Sequence, residues 1–228
     1  MIPRAEIDIN ASVPPGWAYW TPSREDLADP DGFGYFHDKW RIGQPAPRDV
    51  KAVVAAERTL CDLVDKLAHD NEEFDDLAAA FERPDRDRVP DRLDRSPFIE
   101  EIEDAVVFDD WPPLEGLELG VAGLVYALNS VRCWTAASCR GHGPGGWAPH
   151  PCVYVAATRH RVSLLQELMV EAGCGFVVDE ARGQFLAVVA PSIKETMALA
   201  ERVMKRRSEF AVRRGPRTRR PEPPPSLW

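Results

Sequence analysis

Two reactive side chains stand three positions apart in the run Ser138-Cys139-Arg140-Gly141-His142, which continues as Gly143-Pro144-Gly145-Gly146. A thiol and an imidazole on a turn this rich in glycine invite three kinds of chemistry. Cys139 can be a nucleophile whose thiolate is favoured by His142, Arg140 and nearby amides. The turn can instead be an anion-binding nest, because glycine reaches backbone conformations that point successive N–H groups at one ligand. In that arrangement the amides at 139, 141 and 143 face a small anionic or nucleotide-like molecule, and Arg140, Gly145 and Gly146 are expected among its ligand-binding residues. Ser138 fixes the turn and His142 donates a hydrogen bond or a proton. Thirdly, Cys139, His142, His150 and Cys152 read as C-x₂-H…H-x-C, a donor set suited to tetrahedral zinc. The plain structural alternative is a glycine connection between strands, with Cys152, like Cys133 and Cys174, a small buried hydrophobe.

One motif is excluded. Gly141, Gly143 and Gly146 match G-x-G-x-x-G by letter, but Trp147-Ala148-Pro149-His150-Pro151 follows. A dinucleotide fingerprint must open straight into a helix, and two prolines there prevent it.

The elements that position these residues fall into two similar runs. Leu117, Val121, Leu124, Val125 and Leu128 form a helical stripe ending near Asn129. Strands are expected at 133–138 and 152–157, with the glycine turn between them. A helix from about Val162 to Ala172 stops at Gly173, and strands at 175–179 and 185–190 follow, joined by a turn containing Arg182-Gly183. Ser192-Ile193-Lys194-Glu195 is a capping box that opens a last helix. The expected fold is α+β: a mixed or antiparallel sheet from two helix-strand-strand units with helices on one face, plus a helical and irregular N-terminal region.

That N-terminal region divides in two. Residues 1–49 hold Trp17, Tyr19, Trp20, Phe33, Tyr35, Phe36 and Trp40 without a sustained period, and read as an irregular aromatic arm packed on the domain. Residues 50–110 are helical with a charged linker. Apolar residues from Val53 to Phe81 recur at three- and four-residue spacing, and the acidic set Asp70, Glu72, Glu73, Asp75 and Asp76 is expected on the solvated face. Pro84 to Asp94 is the linker, and Ser96-Pro97 is expected to open a short helix. Residues 111–208 make the S-C-x-G-H domain, and 209–228 are a basic, proline-rich tail expected to be disordered.

From about Leu114 to Arg207 the chain resembles the tRNA wybutosine-synthesis methyltransferase family, and also small bacterial proteins of unknown role carrying an S-C-x-G-H turn. Ser138, Cys139 and Gly141 match that family's first motif, with His142 where it has arginine, and Gly175-Phe176 match the opening of its second. The resemblance implies a shared fold and site position, and S-adenosylmethionine-dependent methyl transfer as the enzymatic role.

Charge narrows the partners. The net charge is −9, yet residues 203–228 carry eight Lys and Arg against Glu209 and Glu222, so the body is more acidic than the whole. An acidic body repels phosphate backbones, and nucleic acid would be met only through the basic tail. A protein partner recruited by that tail or by the acidic helix is the non-catalytic alternative, with the turn closed by zinc. No apolar run reaches the length of a membrane span, and the first residues lack a signal-peptide pattern. Five cysteines, an odd number, read as reduced thiols, and a cytoplasmic bacterial protein is expected.

Overall fold

The computed structural model describes residues 1–28, 43–82, 114, 116–142 and 148–211. Among the described residues the α-helices and strands are α1 (Arg24–Ala28), α2 (Pro47–Leu67), α3 (Asn71–Glu82), α4 (Ala122–Ser130), β1 (Trp134–Cys139), β2 (Cys152–Ala156), α5 (Arg159–Ala172), β3 (Gly175–Val177), β4 (Leu186–Val189) and α6 (Ile193–Lys205). The fold is α+β. Its sheet runs β1-β2-β4-β3 and is antiparallel throughout, so each helix-strand-strand unit contributes one hairpin and the inner strands β2 and β4 join the two.

Helices α4, α5 and α6 form a layer, with α6 against α4 and α5, and α2 packs on α4. Leu124 and Leu128 of α4, Leu165 of α5 and Leu199 and Val203 of α6 are wholly buried there, with Val153, Val155 and Val188 from the sheet. Asn129 of α4 donates from Nδ2 to Thr135 Oγ1 at 2.6 Å, which identifies the face of β1 that this layer covers. Helix ends follow local chemistry. Gly173 terminates α5 in the left-handed conformation at φ 74°, and the Ser192 hydroxyl accepts the Lys194 amide at 3.2 Å to start α6.

Three expectations change. The stripe from Val53 to Phe81 is two helices, because Asp70 interrupts it: its Oδ1 accepts the Glu73 amide and Glu73 Oε2 accepts the His69 amide, each at 2.9 Å. That reciprocal pair is a capping box written in Asp70-Asn71-Glu72-Glu73. The stripe from Leu117 becomes helical only at Ala122, after a loop whose glycines Gly116 and Gly120 hold φ of 73° and 85°. Asp75 leaves the solvated face to join an ion pair described below. The expected linker 84–94, the helix after Ser96-Pro97, and the tail beyond Ala211 lie outside the described residues.

Part of the aromatic arm is described, and it packs on the sheet. Phe176 N donates to Asn10 O at 2.7 Å along the β3 edge, and the fully buried Trp20 lies against Phe185, its ring N–H on Gln184 O at 2.5 Å. A Cβ on Gly175 would stand 2.8 Å from Asn10 N, so only glycine allows this approach. No helix among the described residues is long and apolar enough to cross a membrane.

Candidate functional site

Strand register decides where Cys139 points. Cys139 pairs with Cys152, Ser138 with Val153 and Ala137 with Tyr154, but the pairing shifts between Thr135 and Ala137. Ala136 is therefore the extra residue of a β-bulge, and one extra residue exchanges the faces of everything after it. Without it Ser138 would share the face of Cys152 and Tyr154. With it Cys139 takes that face, opposite the α4 layer, and Ser138 turns away.

There Cys139 meets two partners. The sulfur of Cys139, an imidazole nitrogen of His142 and a carboxylate oxygen of Glu118 lie within 4.8 Å of one another. His142 Nε2 stands 3.1 Å from Glu118 Oε1, and the other oxygen of Glu118 accepts the Arg140 amide at 2.6 Å. The Gly141 amide points at the Cys139 sulfur at 3.4 Å, and the His142 amide donates to Ala148 O at 3.0 Å. Gly141 has φ of 85°, and a Cβ there would stand 2.7 Å from the His150 carbonyl carbon. Only glycine lets the two arms of the turn close on each other.

A second layer holds this cluster. Arg140, 5% exposed, donates from Nε to Glu82 Oε1 at 2.7 Å and pairs with Asp75 through Nη1. The same Glu82 oxygen accepts the Leu119 amide at 2.9 Å, and Thr196 Oγ1 donates to Gly120 O at 2.6 Å. The loop bearing Glu118 is thus anchored to α3, α6 and the turn at once. Burial works to lower the Arg140 guanidinium, but Glu82 and Asp75 outweigh it and hold it above its ordinary value. Burial likewise raises the Glu82 carboxyl, with Arg140 opposing.

The thiols are not poised to attack. Burial, followed by the Glu118 charge, pushes the Cys139 thiol up to about 12. Burial does the same to Cys152, with Cys139 and Glu118 adding to it. A thiol at that value is protonated at neutral pH, contrary to the nucleophile expected from His142 and Arg140.

Several candidate residues thus take other places. Arg140, expected to bind ligand, is paired with Glu82 and Asp75 and is a positioning residue. Of the amides expected to cradle an anion, that of Gly141 faces the Cys139 sulfur and that of Gly143 lies outside the described residues, while the Arg140 amide between them donates to Glu118. His150 and Cys152 do not join the metal-type cluster; Glu118 does. Gly143, Gly145 and Gly146 lie outside the described residues. Asp179, on the segment after β3, accepts from Tyr154 Oη at 2.9 Å and pairs with Arg182 at 2.7 Å.

Glu118 was missed because it is 21 positions from Cys139 in an apolar run. The signal available was Gly116-Leu117-Glu118-Leu119-Gly120, an acidic residue between two glycines where a helix would otherwise continue.

Comparison with protein-family models, with curated proteins and with solved structures finds no match to this chain.

Proposed function

We propose that the protein binds a divalent transition-metal ion, zinc by the chemistry of the donors, through Glu118, Cys139 and His142. The convergence of one sulfur, one imidazole nitrogen and one carboxylate oxygen within 4.8 Å carries this reading. Thiolate, imidazole and carboxylate together suit zinc better than magnesium or calcium, which prefer oxygen alone. Three protein donors with no fourth Cys, His, Asp or Glu in the group, among the described residues, match the pattern of sites that keep one position open. That position is where a water or the anionic group of a small, nucleotide-like ligand would sit. Bound there, zinc would supply Lewis acidity, and Cys139 would hold it as the thiolate, its proton released to solvent. Arg140 orients Glu118 through its backbone amide, and Gly141 brings His142 back to the strand end.

Elemental analysis of the purified chain tests this. About one zinc per chain, absent from Glu118→Gln and Cys139→Ser variants that remain folded, supports it. A metal-free protein that takes up no zinc on dialysis removes it.

A second reading rests on the 3.1 Å contact between His142 Nε2 and Glu118 Oε1. A carboxylate that orients an imidazole is the arrangement of a general base, which could serve methyl transfer or other nucleotide chemistry without a metal. Calorimetry with S-adenosylmethionine and S-adenosylhomocysteine on chelator-treated protein separates the two. Heat of binding favours the second reading, and no heat removes its methyltransferase form.

A further inference from the structure

At the opposite end of β1 from Cys139, about 20 Å away for a six-residue strand, lies a cleft of about 610 Å³. Arg132, Arg161 and Arg207 line it with Gln44 and Ser208, and Val131 and the buried Phe210 close its back. We propose that this cleft binds the phosphate group of a small phosphorylated molecule, with Arg161 as its principal anchor.

The argument begins with an uncompensated charge. Arg161, in the first turn of α5, is only 7% exposed, and its Nε is buried without an acceptor among the described residues. Among the described residues no carboxylate pairs with Arg161, Arg132 or Arg207. The carboxylate closest in sequence to Arg207, Glu209, is taken by Arg206 at 2.6 and 2.8 Å. A guanidinium removed from water without a counter-ion is costly, and structures that keep one normally pair it. Burial, reinforced by the like charge of Arg132, depresses the Arg161 guanidinium below its ordinary value. An anion entering the cleft supplies the missing counter-charge to the Arg161 guanidinium and relieves the repulsion together.

Arg132 adds an independent observation. Among the described residues it is the one non-glycine residue with positive φ, at 60°, immediately beyond the end of α4 where glycine is the usual choice. The left-handed conformation costs an arginine roughly 1–2 kcal/mol, and strain of this kind collects at ligand sites. The conformation is held by Arg132 N donating to Asn129 O at 2.9 Å, and Gln44 Oε1 accepts from Arg132 Nε at 3.1 Å. Gln44 Nε2 in turn donates to Ser130 O at 3.3 Å.

Three guanidinium groups match a dianion better than a single carboxylate, and their planar forks suit phosphate oxygens. The volume falls in the range of small-molecule sites, which leaves room for an organic portion against Val131 and Phe210. Neither Glu118, Cys139 nor His142 contributes, so this site stands or falls independently of the metal reading.

The test is calorimetry and thermal melting of the full chain with inorganic pyrophosphate at constant ionic strength. The wild type is expected to bind saturably and to melt higher as ligand is added. Arg161→Met should weaken binding about tenfold or more while melting no lower than wild type in phosphate-free buffer, because it removes a buried unpaired charge. Arg161→Lys should fall between, keeping the charge but not the fork. Arg207→Gln, at an exposed position, should weaken binding about threefold and supplies the test if position 161 tolerates no change. A wild type unaffected by ~10 mM pyrophosphate, or Arg161→Met and Arg207→Gln variants that respond as wild type does, overturns the proposal. So does an RNA oligomer that displaces pyrophosphate from the wild-type cleft.

Discussion

Arg140 Nε lies 2.7 Å from Glu82 Oε1, and the Leu119 amide reaches the same oxygen at 2.9 Å. One carboxylate at the end of α3 therefore joins the S-C-x-G-H turn to the loop that carries Glu118, two segments distant in sequence. Both side chains are nearly closed off from solvent, Arg140 at 3% and Glu82 at 11%. Truncating one partner leaves the other charge buried and alone, which costs about 3 kcal/mol or more. Arg140→Met is expected to lose that much in urea unfolding, and Arg140→Met with Glu82→Gln to recover part of it, because Gln still accepts from Leu119. A double-variant loss equal to the sum of the Arg140→Met and Glu82→Gln losses would show the two residues to be uncoupled.

Gly141 carries the return of the turn. Its φ of 85° and the 2.7 Å approach to the His150 carbonyl carbon leave no space for a methyl group. Gly141→Ala should destabilise by about 2 kcal/mol or more and should also weaken metal uptake by moving His142 away from Glu118. Normal zinc content in this variant would mean that the turn does not set the geometry of the donors.

The elements around the site were legible from local chemistry. Gly173 as a helix stop, Ser192 as a helix start and the two hairpins follow from patterns a few residues long. The break at Asp70 was also written locally, in a capping box overlooked because the apolar stripe runs through it. The bulge at Ala136 was not legible, since Thr135-Ala136-Ala137 contains no glycine and signals no shift of register. Nor was the pairing of Asp75 and Glu82 with Arg140, because contacts across 58 and 65 positions leave no trace in spacing. Periodicity assigned Asp75 to solvent, and the Arg140 side chain of the turn pairs with it instead.

Glu57 makes stability depend on pH. This carboxyl of α2 is 1% exposed and accepts the Gly123 amide at 3.1 Å at the start of α4, and its other oxygen has no hydrogen-bond partner among the described residues. Burial raises it from 4.5 to about 7, despite amide hydrogen bonds that pull it down. The native state therefore holds its proton more tightly than the unfolded chain. Its contribution is fully present below pH 4.5 and is lost as pH rises through about 7, a change of roughly 3 kcal/mol. Urea unfolding at pH 5 and pH 8 should show this loss in the wild type and a much smaller one in Glu57→Gln. Identical pH dependence in the two proteins would refute the assignment.

All five cysteines, Cys61, Cys133, Cys139, Cys152 and Cys174, are free and buried. A chromogenic disulfide reagent should find no fast-reacting thiol in the native protein at neutral pH, with or without chelator, and five in denaturant. One rapidly labelled native thiol at position 139 would mean that the strand end opens to solvent far more than its 1% exposure allows.

Titration of the metal-free protein with cobalt(II) tests the metal centre most directly, because cobalt reports both its geometry and its sulfur ligand in the absorption spectrum. The wild type should develop visible bands of four-coordinate cobalt and a near-ultraviolet sulfur-to-metal band, saturating at one equivalent, with the sulfur band lost in Cys139→Ser. A spectrum that stays that of aqueous cobalt, or a sulfur band that persists in Cys139→Ser, would contradict the Glu118–Cys139–His142 centre.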